Sequence, residues 1–199
     1  MPPTAPPPTV VFLRDGRAAE VRALAQSDRT EVDALHANVG DDSSRLRFFS
    51  VGRAAGQRYV DHLFSQSGDT FLALVVTLNG HVVGVAAAER LTAGSAEVAF
   101  LVADPERGHG IGTLLLEHLA SSCHEQGIRQ FMADMPPENH RMVQVFNDAG
   151  YAITRASEPG LLTFELSTES GEQSRRATGM RASVATLAAS RSVAEPLAR

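Results

Sequence analysis

The order of helix and strand signals along the chain predicts an α/β fold: a mixed, mostly antiparallel twisted sheet with a central parallel βαβ unit, flanked by helices. Three observations carry this prediction. Asn79-Gly80 is a hairpin turn between two apolar runs of strand length. Residues 97–103 read as an interior strand, since both alternating faces after Glu97 are apolar. A glycine-rich loop, an amphipathic helix and another strand follow in turn, and such a crossover sets two strands parallel inside a sheet that hairpins otherwise keep antiparallel.

The elements are justified one by one. Residues 1–9 hold five prolines, which withhold backbone donors and favour extended chain, so a disordered lead-in is expected over residues 1–12 and the folded domain over 13–167. Residues 21–24 read as a short strand, and residues 29–38 as a helix with Val32 and Leu35 on one face. A second helix is expected over 56–64. Phe71–Leu78 and residues 81–89 are the arms of the hairpin. Over residues 109–126 the period changes: Ile111, Leu115 and Leu119 recur beside Leu116 and Cys123, and Gly127 stops the helix. A strand at 128–133 and a helix at 138–149 follow, the helix turning Met142, Val145, Phe146 and Ala149 inward and ending at Gly150. Two closing strands, 151–155 and 161–166, flank the turn Glu158-Pro159-Gly160. Residues 168–199 form a polar tail in which Met180, Val184, Leu187 and Val193 outline a weak helical pattern.

With 199 residues, 43% of them hydrophobic, the chain can build one core of ordinary size plus tails. No run approaches the roughly 20 apolar residues that cross a bilayer, and the start lacks the cationic and apolar regions of a secretory signal. No membrane role is expected. The single cysteine, Cys123, cannot form an internal disulfide, which suits the cytoplasm. A formal charge of -5 offers no electrostatic footprint for nucleic acid. All 18 basic residues are arginines.

The segment Arg107-Gly108-His109-Gly110-Ile111-Gly112 separates the interior strand from the long helix. Glycines let the backbone approach a ligand closely, and N–H groups at a helix start lack intrahelical partners, so such a loop suits phosphate oxygens; a merely tight connection would look the same. Arg107, Gly110 and Gly112 fit the pattern Arg/Gln-x-x-Gly-x-Gly/Ala, and Asn139, Met142, Phe146, Gly150 and Tyr151 fit a later Asn…Met…Phe…Gly-aromatic segment. With both segments in order, residues 21–166 resemble the GNAT acyltransferase family. The resemblance implies acetyl-CoA as acyl donor, with its pyrophosphate on Arg107, Gly108, His109, Gly110, Ile111 and Gly112. It also implies backbone hydrogen bonds from Leu101 and Val102 to the acyl-pantetheine arm, with Asn139 and Phe146 along that arm.

A lysine-like amine has a pKa near about 10.4 and must lose a proton before it attacks a thioester. Glu97 is the candidate base, five residues before Val102; that length of strand spans about 16–17 Å, so proton transfer would need strand twist or a water relay. Partial burial would raise its pKa. A strand-end glutamate facing water is the plain alternative, and Glu89 is the rival base. Leu13-Arg14-Asp15-Gly16, Ser44-x-x-Arg47-Phe48-Phe49 and Ala96-Glu97-Val98-Ala99-Phe100 further resemble the bacterial protein-lysine acetyltransferases of the Pat type. In that group the glutamate matching Glu97 is the general base, and the domain is often fused to a regulatory or acyl-CoA synthetase domain. Only short tails are expected here, which puts allosteric control by a second domain in doubt.

Where many GNAT enzymes carry a tyrosine that protonates the leaving thiolate, this sequence has Phe146; a thiolate leaves tolerably unaided. Tyr151 is an aromatic candidate for that task, with core packing as its expected role. His109 is expected to point to solvent and Cys123 to pack in the core. His118, His124 and His140 lack a convergent metal-ligand spacing, so no metal is expected. Residues 41–49 are expected at the acceptor cleft, where Phe48 and Phe49 would either grip a protein loop or plug the core. The implied acceptor is a lysine on another protein, for example an acyl-CoA synthetase, since this chain has no lysine of its own. The alternatives are a small amine or amino acid as acceptor, or a non-catalytic acyl-CoA sensor.

Overall fold

A computed structural model of the protein describes residues 6–38, 53–66 and 70–193. The strands are β1 Thr9–Phe12, β2 Ala18–Ala23, β3 Phe71–Leu78, β4 His81–Arg90, β5 Ser95–Val102, β6 Gln130–Met135, β7 Ile153–Glu158 and β8 Leu161–Ser167. They form one eight-stranded sheet in the order β1-β2-β3-β4-β5-β6-β8-β7. Every neighbouring pair is antiparallel except β5 and β6, which are parallel as the crossover requires. The hairpin turn is built as its sequence demands, Asn79 at φ 52° and Gly80 at φ 83°.

The helices are α1 Arg29–Ala37, α2 Arg53–Ser65, α3 Ile111–Glu125, α4 His140–Ala149 and α5 Glu172–Val193. One face of the sheet is covered by α1 and α2, whose Val32, Leu35, Val60, Leu63 and Phe64 pack on Val75, Val85, Ala87 and Leu101. The opposite face carries α3 and α4; Leu115, Leu116, Leu119 and Phe146 pack there with Leu74, Val76, Ala86 and Val98. Outside these layers α5 rests against α4 and β1, and a 2.8 Å hydrogen bond from the Thr178 hydroxyl to Glu117 ties it to α3. Among the described residues no helix is long and apolar enough to cross a membrane.

Gly84 of β4 decides how closely α3 approaches the sheet. A Cβ there would stand 2.8 Å from Ile111 Cγ2 and 3.2 Å from Leu115 Cδ1, so the missing side chain is what seats the first turn of α3 on the sheet. Below the hairpin, Arg22 of β2 donates both terminal nitrogens to Asp28, at 2.7 and 2.8 Å, and the Ala25 N–H adds a third bond at 2.8 Å. This pair fixes the entry into α1, where Asp28 is buried.

Two boundaries differ from the sequence expectation. The lead-in expected over residues 1–12 gives up its last four residues to β1, because Val11 reaches the core while β2 supplies the ladder. The tail is helical from Glu172, eight residues before Met180, and its Ser174 is buried. Propensity alone does not report such docking. Residues 41–49, with Phe48 and Phe49, lie outside the described residues.

Candidate active site

β5 and β6 share three register pairs, Ser95↔Gln130, Ala96↔Phe131 and Glu97↔Met132, and then part. β5 remains bonded to β4 up to Val102, and β6 remains bonded to β8 up to Met135. Beyond Glu97, therefore, the two facing edges carry backbone donors and acceptors without a ladder between them. An amide-bearing arm entering the split finds partners along residues 98–102. Phe146 fills the space beneath it: fully buried on α4, its ring lies 6.2 Å from that of Phe100 on β5 and 5.3 Å from that of Phe164 on β8.

On the α3 and α4 side the split opens into a cleft of about 410 Å³. Its floor is Phe100, Leu101 and Val102; one wall is Arg107, Gly108, Gly110, Ile111, Gly112 and Thr113, with His109 of the same loop turned out of the lining, and the other is Asn139, Arg141, Met142, Gln144, Val145 and Asp148 of α4 and its cap. The loop's shape follows from its glycines. Gly108 at φ 83° and Gly110 at φ 91° occupy left-handed backbone that a side chain would strain. Gly112 lets α4 close in, for a Cβ there would meet Val145 Cγ2 at 3.3 Å. The first bond of α3 runs from Leu114 N to the Gly110 carbonyl, 3.0 Å, so the N–H groups of Ile111, Gly112 and Thr113 precede the ladder. Those groups and the positive helix end suit an anion in the cleft.

Three guanidiniums reinforce that field. Arg107 lines the cleft and pairs with Asp104. Burial pulls its pKa below the usual range; Asp104 opposes this and the charge of Arg141 adds to it. So strong a base stays cationic at neutral pH regardless. Arg141 and Arg14 complete the set, Arg14 standing 3.6 Å from Asp148. Neither was singled out from the sequence as a cleft residue. The available signal was indirect: without lysine, a permanently charged side chain on a phosphate must be an arginine.

The other face of the sheet presents carboxylates. Glu97 is the third residue of β5, exposed, and it sits opposite Glu89 of β4 in register. By alternation both share the face of Val85, Ala87 and Leu101, which is the α1 and α2 side. From α2, His62 Nε2 lies 2.8 Å from Glu89, and the Gln66 amide donates to His62 Nδ1 at 3.1 Å, which places the ring proton on Nε2 facing Glu89. Glu97 is thus the last paired residue before the split, with the glycine-rich loop on one side of the sheet and the carboxylates on the other. From Glu97 to Phe100, where the cleft begins, is three strand residues, about 10 Å.

Leu101, Val102, Arg107, Gly108, Gly110, Ile111, Gly112 and Asn139 all come together in the cleft. Asn139 also caps α4, its side-chain oxygen accepting from Met142 N at 3.2 Å. Three placements differ from expectation. Phe146 does not line the cleft, because the inward stripe of α4 carries it into the core. His109 does not simply face solvent; it lies between Asp15, 3.5 Å from Nε2, and Glu106, 3.7 Å from Nδ1. Glu97 is exposed rather than partly buried. Tyr151 and Cys123 are core residues, and burial pushes the Cys123 thiol up to about 12, too high to yield a nucleophile at neutral pH. Among the described residues no cluster of three His, Cys, Asp or Glu is arranged to hold a metal ion.

Comparison with known proteins gives the same outline. Residues 41–151, more than half of the chain, match the model of the Acetyltransferase (GNAT) family. The GNAT domain of S. lividans PAT is 34% identical, with a TM-score of 0.73 over 80% of this chain and 96% of that one. Mycobacterium smegmatis RimJ, solved in complex with CoA-disulfide, is 17% identical with a TM-score of 0.65, covering 91% of this chain and 97% of its own. A cAMP-binding acyltransferase from Mycobacterium smegmatis is 23% identical with a TM-score of 0.57; the match covers 94% of this chain and 57% of that protein. The last two likenesses speak to the fold alone.

Proposed function

This chain belongs to the GNAT acetyltransferase family, and from that premise we propose that it transfers the acetyl group of acetyl-CoA to the side-chain amine of a lysine on another protein, with Glu97 as general base. The observation that carries the proposal is the split between β5 and β6, with Glu97 at its last paired position. Backbone edges for an amide-bearing arm, a cationic loop for phosphates and a carboxylate on the far face stand in one line through the sheet.

The chemistry follows from that line. The loop N–H groups and the guanidiniums of Arg107 and Arg141 hold the donor's phosphates, and the free edge of β5 orients its arm toward the apex of the split. A lysine approaching from the α2 side arrives as an ammonium, which Glu97 and Glu89 attract. Glu97 accepts one proton, directly or through a water, and the freed nitrogen lone pair attacks the thioester carbonyl carbon. The C–S bond breaks, the thiolate departs with the electron pair, and the amide forms as the nitrogen gives up its second proton to solvent. No side chain is assigned to protonate the thiolate, because the sequence position at which many GNAT enzymes carry a tyrosine holds Phe146, which has no proton to give. The 34% identity to the GNAT domain of S. lividans PAT, together with the Pat-like segments around Leu13, Ser44 and Ala96, supports a protein lysine over a small amine.

The test is to incubate the protein with acetyl-CoA and an acyl-CoA synthetase, with a panel of small amines in parallel, following CoA release and the intact masses of both proteins. The synthetase should gain acetyl groups; this chain, having no lysine, should gain none on its side chains. Glu97→Gln should lower turnover about 10²–10⁴-fold and leave acetyl-CoA affinity unchanged. Rapid turnover of a small amine beside an unmodified synthetase would overturn the protein-acceptor reading. Loss of turnover in Glu89→Gln with activity kept in Glu97→Gln would move the base to the neighbouring strand.

A further inference from the structure

We infer that Arg14, on the turn between β1 and β2, is the residue that binds the 3′-phosphate of the acyl-CoA donor, and that Arg17, Asp15, Glu106 and His109 form a clamp that positions it. The inference rests on reading the cleft as an acyl-CoA site and gives a ligand role to Arg14, to which the sequence motifs assigned none.

The cleft's guanidiniums lie at different depths. Arg107 belongs to the loop and its side chain is 23% exposed, whereas Arg14 is 43% exposed and stands at the rim beside Asp148. Gly110 makes room for the Arg14 stem, since a Cβ there would lie 3.3 Å from Arg14 Cγ and 3.5 Å from Nε. The loop N–H groups and Arg107 are already matched by the two phosphates of a pyrophosphate. The third phosphate of CoA is a dianion on the ribose, away from the other two, and it calls for a cation outside the loop. Arg14 meets that need. Its contact with Asp148, at 3.6 Å, is longer than a hydrogen bond, so a phosphate offers the guanidinium a better partner than it has.

A long side chain at a rim is useful only if its backbone is fixed, and here the turn is fastened to the loop at several points. Arg14 N–H donates to the His109 carbonyl at 3.1 Å. Arg17 grips Glu106 with both terminal nitrogens, at 3.2 and 2.6 Å, while its Nε and its backbone N–H bond Asp15 at 2.7 and 3.1 Å. His109 Nε2 lies 3.5 Å from Asp15, and the adjoining Leu13 is fully buried in the core. The Arg17 guanidinium holds Glu106 below the usual carboxylate range, so Glu106 keeps its charge and its partner throughout the neutral region. Turn and loop therefore move as one body.

The experiment is calorimetric titration of acetyl-CoA and of acetyl-dephospho-CoA, which lacks the 3′-phosphate, into wild type, Arg14→Gln, Arg14→Lys, Glu106→Gln and the Arg14→Gln/Glu106→Gln double variant. Arg14→Gln should weaken acetyl-CoA about 10–100-fold, the range of a lost charged hydrogen bond, and leave acetyl-dephospho-CoA nearly unchanged; Arg14→Lys should recover part of the loss. Glu106→Gln should weaken acetyl-CoA less, and its effect should shrink when Arg14 is already Gln, because the clamp acts through Arg14. Equal losses for both donors would overturn the assignment by placing Arg14 on the pyrophosphate. Tight wild-type binding untouched by Arg14→Gln would also overturn it while sparing the donor reading. Wild-type protein that binds neither donor would sink that reading and the assignment together.

Discussion

Gly84→Ala puts one methyl group where the fold has left none, and its consequence reaches the donor loop. The new Cβ would stand 2.8 Å from Ile111 Cγ2 and 3.2 Å from Leu115 Cδ1. Carbon atoms settle at about 3.5–4.0 Å, so something must give by about 0.7 Å or more. Ile111 is 1% exposed and Leu115 fully buried, and a β-branched side chain has little rotamer freedom in a helix, so the first turn of α3 must lift. Overpacking of this kind costs about 1–3 kcal/mol, which for a protein of this length lowers Tm by about 2–12 °C. Because that turn carries the Ile111, Gly112 and Thr113 N–H groups into the cleft, acetyl-CoA affinity should fall with stability even though position 84 touches no ligand. Thermal unfolding followed by spectroscopy, with calorimetric titration well below Tm, measures both. A variant with unchanged Tm and unchanged affinity would refute the claim that this close approach seats the loop.

Two further outcomes are expected. Gly110→Asp places a side chain at φ 91°, its Cβ 3.3 Å from Arg14 Cγ, and adds a negative charge to the loop, so acetyl-CoA affinity should drop more than the tenfold that about 1.4 kcal/mol represents; unchanged affinity in a folded variant would remove the loop from the donor site. Asp28→Ala leaves Arg22 without its bidentate partner and the Ala25 N–H without an acceptor, costing about 2–4 kcal/mol in urea unfolding at pH 7. The Arg22 bonds hold Asp28 below its ordinary value of 3.8, so its stabilisation is full above that pH and is lost as pH falls through the lowered folded value. The gap between wild type and Asp28→Ala should therefore narrow in strong acid, and a gap that is constant down to pH 2 would refute the ion-pair account.

Periodicity alone determined much of this molecule. The Asn79-Gly80 hairpin, the four-residue recurrence of Ile111, Leu115 and Leu119, and the strand after Gly127 leave few topologies, since each is a local preference that the tertiary fold reinforces. The shape of the loop 107–112 was legible for the same reason: its glycines serve a backbone conformation, and backbone conformation is local. What the sequence could not show was everything settled by contacts distant along the chain. β1 exists because β2 offers it a ladder, although its residues adjoin a run of prolines. Phe146, matched by motif to the donor arm, is instead the buried plug beneath the split, because the orientation of α4 is set by Phe100 and Phe164 on two different strands. Arg14 is 93 residues before Arg107 in the chain, and only the folding of the β1–β2 turn onto Glu106 and His109 brings the two guanidiniums to one cleft. The parting of β5 and β6 after Glu97 was likewise invisible, because register is a property of two strands, and no single strand's pattern records where its neighbour leaves it.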